Sequence, residues 1–209
     1  MKHPKMIIIL SLALYMSGCA FYHVDYDISL YEVKRSSIIN ENQGEQRVIK
    51  FEEHGKVEYN FKDEIIQTIW RPTSSQFLLS LTNKTDHPIK LIWDGVRYID
   101  ENGARIRVIH SGVQYIDRYN SQRSTKIDEG STISDFIFPA DNVYYVGEKY
   151  GGWRELPLFT NLSVISAQEL AEKAEKNIGK SVQVVLPIET QDIINEYIFS
   201  FKIHDFQIK

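Results

Sequence analysis

Histidine and serine side chains are the first candidates for chemistry in this sequence. His110 stands directly before Ser111 and Gly112, which places a base beside a hydroxyl, as nucleophilic catalysis requires. Neighbouring residues of a strand point to opposite faces, so an ordinary strand end explains this pair better. No two histidines show the i, i+2 or i, i+4 spacing of metal ligands that share one face. Beyond the amino terminus they stand at His23, His54, His87, His110 and His204.

Carboxylates are the other candidates, because glycoside hydrolysis needs two of them facing a cleft. The available acids stand in turn-like segments, where acids are common for reasons of turn chemistry. They are Asp94, Asp100, Glu101, Asp128 and Glu129. We therefore predict no catalytic residue, no cofactor and no metal site.

The segment 111–126 has no apolar period and is interpreted as a long connection with an aromatic and basic character. Its side chains of interest are Tyr115, Arg118, Tyr119 and Arg123. Long loops on rigid scaffolds often carry binding, so this loop could recognise an anionic polymer, a peptidoglycan strand or a protein. The alternative is a crossover between sheets whose tyrosines bury their rings and keep their hydroxyls wet.

A second possible binding surface runs from Tyr144 and Tyr145 to Trp153, with Gly151 and Gly152 nearby. Aromatic side chains beside glycine turns can form a recognition surface. They can equally form a packed loop, and the sequence alone leaves both interpretations open.

The amino terminus has the pattern of an export signal. Lys2 and Lys5 precede the uncharged apolar stretch Met6–Met16, which is shorter than the ~20 residues that a membrane-spanning helix needs. A charged start, a short apolar region and small residues before a cleavage point are typical of a secretory signal peptide. The alternative is a buried amino-terminal strand with a stray cysteine.

The residues Ser17-Gly18-Cys19 resemble the lipobox of bacterial lipoproteins, with Met16 where that motif usually has Leu. The resemblance implies that residues 1–18 are removed and that Cys19 carries the lipid. More than one acyl chain gives stable anchoring, at ~0.8 kcal/mol per buried CH₂. Ala20 stands where Asp would mark inner-membrane retention in this family. The resemblance thus implies an outer-membrane protein with its domain in the periplasm or, alternatively, at the cell surface.

Composition restricts the partners that this chain would meet. The chain has 24 basic and 28 acidic side chains, and two of the basic ones, Lys2 and Lys5, lie in the signal peptide. The mature part therefore has 22 basic against 28 acidic side chains, a formal charge of −6. We expect no nucleic-acid partner. With its only cysteine acylated, the domain has no thiol for a disulfide, and its stability has to come from its core.

The remainder of the sequence predicts a mainly β fold. About ten short apolar runs are separated by turn signals, among them Asn102-Gly103, a strong hairpin signal. One short helix is predicted near 167–177, where Ser166 and Glu169 form a capping box and Gly179 is a stop signal. One helix cannot cover both faces of a parallel sheet, so we favour an antiparallel, immunoglobulin-like β-sandwich.

The predicted domain plan has three parts. Residues 1–18 are the signal peptide, residues 19–46 the lipid anchor and tether, and residues 47–209 the β-sandwich. Apolar and polar residues alternate over residues 24–30, which is typical of a strand, but the polar stretch 36–46 is interpreted as a loop. We therefore expect the folded domain to begin near Arg47.

The block from Phe77 to Trp153 is similar to the extracytoplasmic domain of uncharacterised bacterial lipoproteins. This resemblance depends on four motifs and implies a domain type without an activity. The motifs are Leu81-Thr82-Asn83-Lys84-Thr85, Ile92-Trp93-Asp94, Val108-Ile109-His110-Ser111-Gly112-Val113 and Phe138-Pro139-Ala140-Asp141-Asn142-Val143.

Two functional hypotheses follow. The first is a non-enzymatic lipoprotein on the outer membrane whose β-sandwich binds a protein or an envelope polymer. The second is an envelope hydrolase or a carrier of a small ligand, with a cleft between strand ends. A loop-built surface would favour the first hypothesis, and a pocket enclosing polar groups would favour the second.

Overall fold

The computed structural model describes residues 24–37, 47–53, 56–159 and 166–208. The predicted signal peptide and Cys19 lie outside these residues, so the lipidation site stays a prediction. One α-helix and short 3₁₀ turns accompany the strands in the described part of the chain.

The strands follow the alternating runs of the sequence. They are β1 Val24–Ser37, β2 Arg47–Glu53, β3 Lys56–Lys62, β4 Ile66–Pro72, β5 Phe77–Asn83, β6 Ile89–Leu91, β7 Arg97–Ile99, β8 Arg105–Ile106, β9 Val108–Ile109, β10 Thr125–Ile127, β11 Thr132–Pro139, β12 Val143–Tyr145, β13 Trp153–Glu155, β14 Ser181–Thr190 and β15 Ile193–Ile208. The helix α1 covers Ala167–Glu175.

These strands form two large sheets and one small one. The first sheet has seven strands in the order β1-β15-β14-β6-β10, with β7 paired to β14 and β8 paired to β7. The second has six strands in the order β2-β3-β4-β5-β11-β9, and β12 and β13 form a separate hairpin. The strand pairs are antiparallel, which confirms a mainly β, sandwich-like fold. The immunoglobulin-like type stays a prediction.

The core lies between the two large sheets and is rich in aromatic rings. Trp70 on β4 contacts Phe199 on β15 at 4.9 Å between ring centroids. Phe77 on β5 contacts Phe201 on β15 at 4.6 Å. Such pairs contribute ~0.5–1.5 kcal/mol each beyond the burial of their area. Aromatic contacts between the two sheets thus help to stabilise a domain whose single cysteine cannot form a disulfide within the chain.

The tether prediction was wrong for residues 24–37. They form β1, which pairs along its length with β15 and buries Val24, Ile28 and Leu30. The alternation seen in the sequence was a true strand signal, whose pairing partner lies at the opposite end of the chain. The folded domain thus includes residues well before Arg47.

The predicted helix and the predicted hairpin at Asn102-Gly103 are confirmed in their main features. The backbone N–H of Glu169 donates to the Ser166 hydroxyl at 3.2 Å, and α1 buries Leu170 and Ala174. In the β7–β8 turn, Gly103 has φ of +85°, and the Asp100 carboxylate accepts from the amide of Ala104 at 2.7 Å. Both local motifs form because their hydrogen bonds are made within a few residues.

Candidate functional site

A small apolar cluster, separate from the main core, supports the connection 111–126 and the β12–β13 hairpin. Its buried members are Ile109, Phe138, Ala140 and Val143. The partly buried side chains that pack against it are Val113, Tyr115, Phe136 and Trp153. Side chains of both predicted binding segments therefore rest on the same support.

Asp94 holds the connection against the domain. Its carboxylate accepts from Arg107 Nη2 at 2.7 Å, from the Gln122 amide at 2.9 Å and from the Ser121 hydroxyl. The Ser121 hydrogen bond, the Gln122 amide and the Arg107 charge lower the pKa of Asp94 below its usual range. Gln122 Nε2 also donates to the Val108 carbonyl at 2.8 Å. This network positions the connection at residues 121 and 122.

Arg118 joins the two predicted segments. Its guanidinium carbon lies 4.6 Å from the ring centroid of Tyr119 and 4.9 Å from that of Trp153. Its Nη1 donates to the Tyr115 carbonyl at 2.8 Å. Cation–π contacts of this kind contribute ~0.5–1 kcal/mol at exposed sites and more when desolvated. The arginine thus links the connection to the hairpin.

The tyrosine hydroxyls of the connection are bound to carboxylates. Tyr115 donates to Glu155, and Tyr119 donates to Asp141 at 2.7 Å. The hydrogen bond to Glu155, with partial burial, raises the pKa of Tyr115 to about 12. The hydrogen bond to Asp141 raises the pKa of Tyr119 above its usual range. Both phenols are therefore neutral donors at physiological pH.

The β12–β13 hairpin carries further aromatic rings. Tyr145 stands opposite Trp153 across the hairpin, with 5.3 Å between the ring centroids, and Trp153 also contacts Tyr115 at 6.0 Å. We define the aromatic surface as Tyr115, Arg118, Tyr119, Tyr145 and Trp153. The exposed side chains of Ile116, Tyr144 and Tyr150 belong to the same two segments.

The aromatic surface combines two segments that the sequence suggested separately. The ring of Tyr115 packs on the small apolar cluster, which agrees with the alternative that the connection is a crossover whose tyrosines bury their rings. Tyr119 and Tyr145 are 53 % and 52 % exposed, so much of their ring area faces solvent. Sequence reasoning did not identify Trp153 as the central contact, because nothing local predicts that its ring meets residues near position 115.

Arg123 does not join the aromatic surface. It is exposed and lies beside an open depression of about 380 Å³ that is also lined by His110, Ser111 and Ser121. Within the described residues its guanidinium makes no hydrogen bond or ion pair. The structure thus brings together three of the four residues predicted for the binding loop.

His110 is held in a structural arrangement. Its ring stacks on Trp93 with 3.8 Å between centroids, and its Nδ1 lies 3.3 Å from Asp135 Oδ2. The amide of Ser111 donates to the other oxygen of Asp135 at 2.7 Å. Asp135 thus holds both His110 and the start of the connection.

Among the described residues, no group of three or more His, Cys, Asp or Glu side chains could hold a metal ion. No helix in the described ranges is long and apolar enough to cross a membrane. Comparison with known proteins finds no matching family model, no matching curated protein and no matching solved structure.

Proposed function

We propose that this chain is a lipoprotein of the outer membrane whose β-sandwich binds an envelope protein or polymer through the aromatic surface. The observation that carries the proposal is the junction of two exposed aromatic segments around Arg118 and Trp153. Tyrosine, tryptophan and arginine are the residues that most often dominate the binding energy of protein interfaces. Their placement on an ordered support favours recognition over a merely solvated loop.

A protein partner is favoured over a sugar polymer. Arg118 lies over both Tyr119 and Trp153, and Lys149 Nζ lies 5.7 Å from the centroid of the Tyr150 ring. Sugar rings would stack on open aromatic faces, whereas these cations occupy faces of the rings. An interface of mixed aromatic and guanidinium groups matches the composition of protein interfaces.

The proposed anchor would hold the domain close to the membrane. β1 begins at Val24, so only residues 20–23 separate it from Cys19. Even a fully extended chain over this distance spans at most about 18 Å. The proposed partner is therefore another component of the same membrane or of the adjacent envelope layer.

Site-specific photo-crosslinking in the native membrane tests this proposal. We would place a photo-reactive phenylalanine analogue at Tyr144 or Tyr150, which are 43 % and 67 % exposed. The matched control position is Ile194, which is 41 % exposed and lies in the β14–β15 hairpin. We expect one discrete crosslinked product from Tyr144 and Tyr150, none from Ile194, and loss of the product in Arg118→Ser.

Two outcomes would overturn the proposal. One is equal crosslinking from all three positions, which would indicate non-specific contact. The other is the absence of any product together with turnover in a screen of envelope substrates, which would support the hydrolase hypothesis.

A further inference from the structure

The pairing of β1 with β15 contains two β-bulges. Asp27 pairs with Asp205 and Ile28 with Ile203, which leaves His204 as the extra residue of β15. Further along, Leu30 pairs with Phe201 and Glu32 with Ser200, which leaves Tyr31 as the extra residue of β1. Bulges re-aim side chains and are over-represented next to functional sites.

Both extra residues line the same groove. This groove, which we call the bulge groove, has a volume of about 450 Å³ and lies where the outermost strands of the two large sheets meet. Ser29 and His204 are hydrogen-bonded to each other within it. Its lining residues are Asp27, Ser29, Leu30, Tyr31, Lys50, Tyr59 and His204.

Asp27 lies where three depressions adjoin, and we call the three together the Asp27 depression. It lines the bulge groove and two adjoining depressions of about 460 and 390 Å³. Volumes of this size match small-molecule sites, which typically measure about 300–1,000 Å³. No described residue donates a hydrogen bond to the Asp27 carboxylate, so it is available to a ligand.

Tyr59 supplies an independent indication of a ligand. Its side chain is only 2 % exposed, yet its hydroxyl has no hydrogen-bond partner among the described residues. An unsatisfied buried polar group destabilises the protein, and a ligand in the groove that accepts from this hydroxyl would remove that penalty. Burial, with a contribution from the negative charge of Asp27, raises the pKa of Tyr59 to about 12. The phenol is therefore a neutral donor within the electrostatic reach of Asp27.

The charge of the Asp27 depression favours a cation. Asp27 and Asp205 contribute carboxylates, and Lys50 is the one cation among the described residues that line the same depression of about 390 Å³. The other cation at the rim, Arg71, is paired with Glu58 at 3.2 Å.

Tyr26 and Tyr31 also line the Asp27 depression. Aromatic rings beside carboxylates suit an ammonium group, because the ring face carries partial negative charge. We propose that the bulge groove binds a small organic ammonium ligand, with its cationic group at Asp27 and a polar atom hydrogen-bonded to the Tyr59 hydroxyl.

Calorimetric titration of the purified full-length chain tests this proposal. The probe is 1,5-diaminopentane, and 1,5-pentanediol is a neutral molecule of matched length. We expect saturable binding of the diamine alone, and about tenfold weaker binding in Asp27→Asn, as expected for the loss of a charged hydrogen bond. The matched control is Asp128→Asn, which makes the same charge change at the opposite edge of the sheet that contains β1.

Tyr59→Phe separates a ligand contact from a structural role. Removal of an unsatisfied hydroxyl should leave the melting temperature of the ligand-free protein unchanged or higher, while it weakens diamine binding. Equal binding of the diol, equal weakening by Asp128→Asn, or no saturable binding by a folded protein would each overturn the proposal. The crosslinks at Tyr144 and Tyr150 do not depend on Asp27, so the two proposals can fail separately.

Discussion

Asp63 shows how a single buried carboxylate can tie three strands together. It accepts from Arg35 Nη1 at 3.0 Å, from the Tyr197 hydroxyl at 2.8 Å, and from the backbone amides of Ile65 and Ile66 at 2.9 and 2.8 Å. Its side chain is fully buried, so these donors offset the cost of removing the charge from water. Burial and the Asp63 charge raise the pKa of Tyr197 well above its usual range. The network joins β1, the end of β3 and β15.

We predict that Asp63→Ala lowers the free energy of unfolding by about 3–5 kcal/mol, because it leaves Arg35 and Tyr197 without their buried partner. Chemical denaturation of the purified chain measures this change. Asp128→Ala removes an exposed ion-pair partner of Lys126 and should cost at most about 1 kcal/mol. Similar losses in the two variants would contradict the assigned role of Asp63.

At the scale of elements, the β14–β15 hairpin has an unusual turn. Gln191 and Asp192 have φ of 48° and 65°, the left-handed region that a type I′ turn needs at both central residues. Asn-Gly is the preferred pair for this turn, whereas most other residues are strained there. Tertiary pairing of two long strands therefore holds the turn in an unfavourable local conformation.

We predict that the double substitution Gln191→Asn and Asp192→Gly raises stability by up to about 1 kcal/mol, because it relieves this backbone strain. The readout is the melting temperature. Gly103→Ala is a control with the opposite expected effect on the melting temperature. Gly103 has φ of +85° and no atom within 4 Å of an added Cβ, so this substitution strains only the backbone. A lower melting temperature in the double variant would show that the native turn residues make a stabilising contact.

The β7–β8 and β14–β15 hairpins show why the sequence predicts some elements more clearly than others. Asn102-Gly103 gave a strong hairpin signal, because the residue type itself favours positive φ. Gln191-Asp192 carries no such signal, because neither residue is the Asn or Gly that this turn favours. The strands on either side, Ser181–Thr190 and Ile193–Ile208, run to the turn itself.

At the scale of the whole molecule, the proposed anchor and the fold are connected. β1 is an outer strand of the seven-stranded sheet and starts a few residues after Cys19. The anchor would therefore be attached to the domain itself, with little tether between them. Membrane proximity would follow from this arrangement and would restrict which faces of the sandwich a partner can reach.

We predict that Cys19→Ser abolishes both lipid labelling and removal of the leader, because the thiol carries the lipid that precedes cleavage. Metabolic labelling with a fatty-acid analogue and membrane fractionation measure the two effects. Ser17→Ala keeps a small residue before the cysteine and should still be processed. If Cys19→Ser were still cleaved and still bound to membranes, the lipoprotein proposal would be wrong.

Local chemistry determined much of what the sequence alone predicted here. The Ser166 cap, the Gly103 turn and the alternating runs depend on contacts within a few residues, so the helix, a hairpin and the mainly β class followed from them. The tertiary structure decided the pairing of β1 with β15, the hydrogen bonds of Arg35 and Tyr197 to Asp63, and the contact between Tyr115 and Trp153. These features join residues that are far apart in the chain, and no local pattern encodes which distant surfaces will pack together.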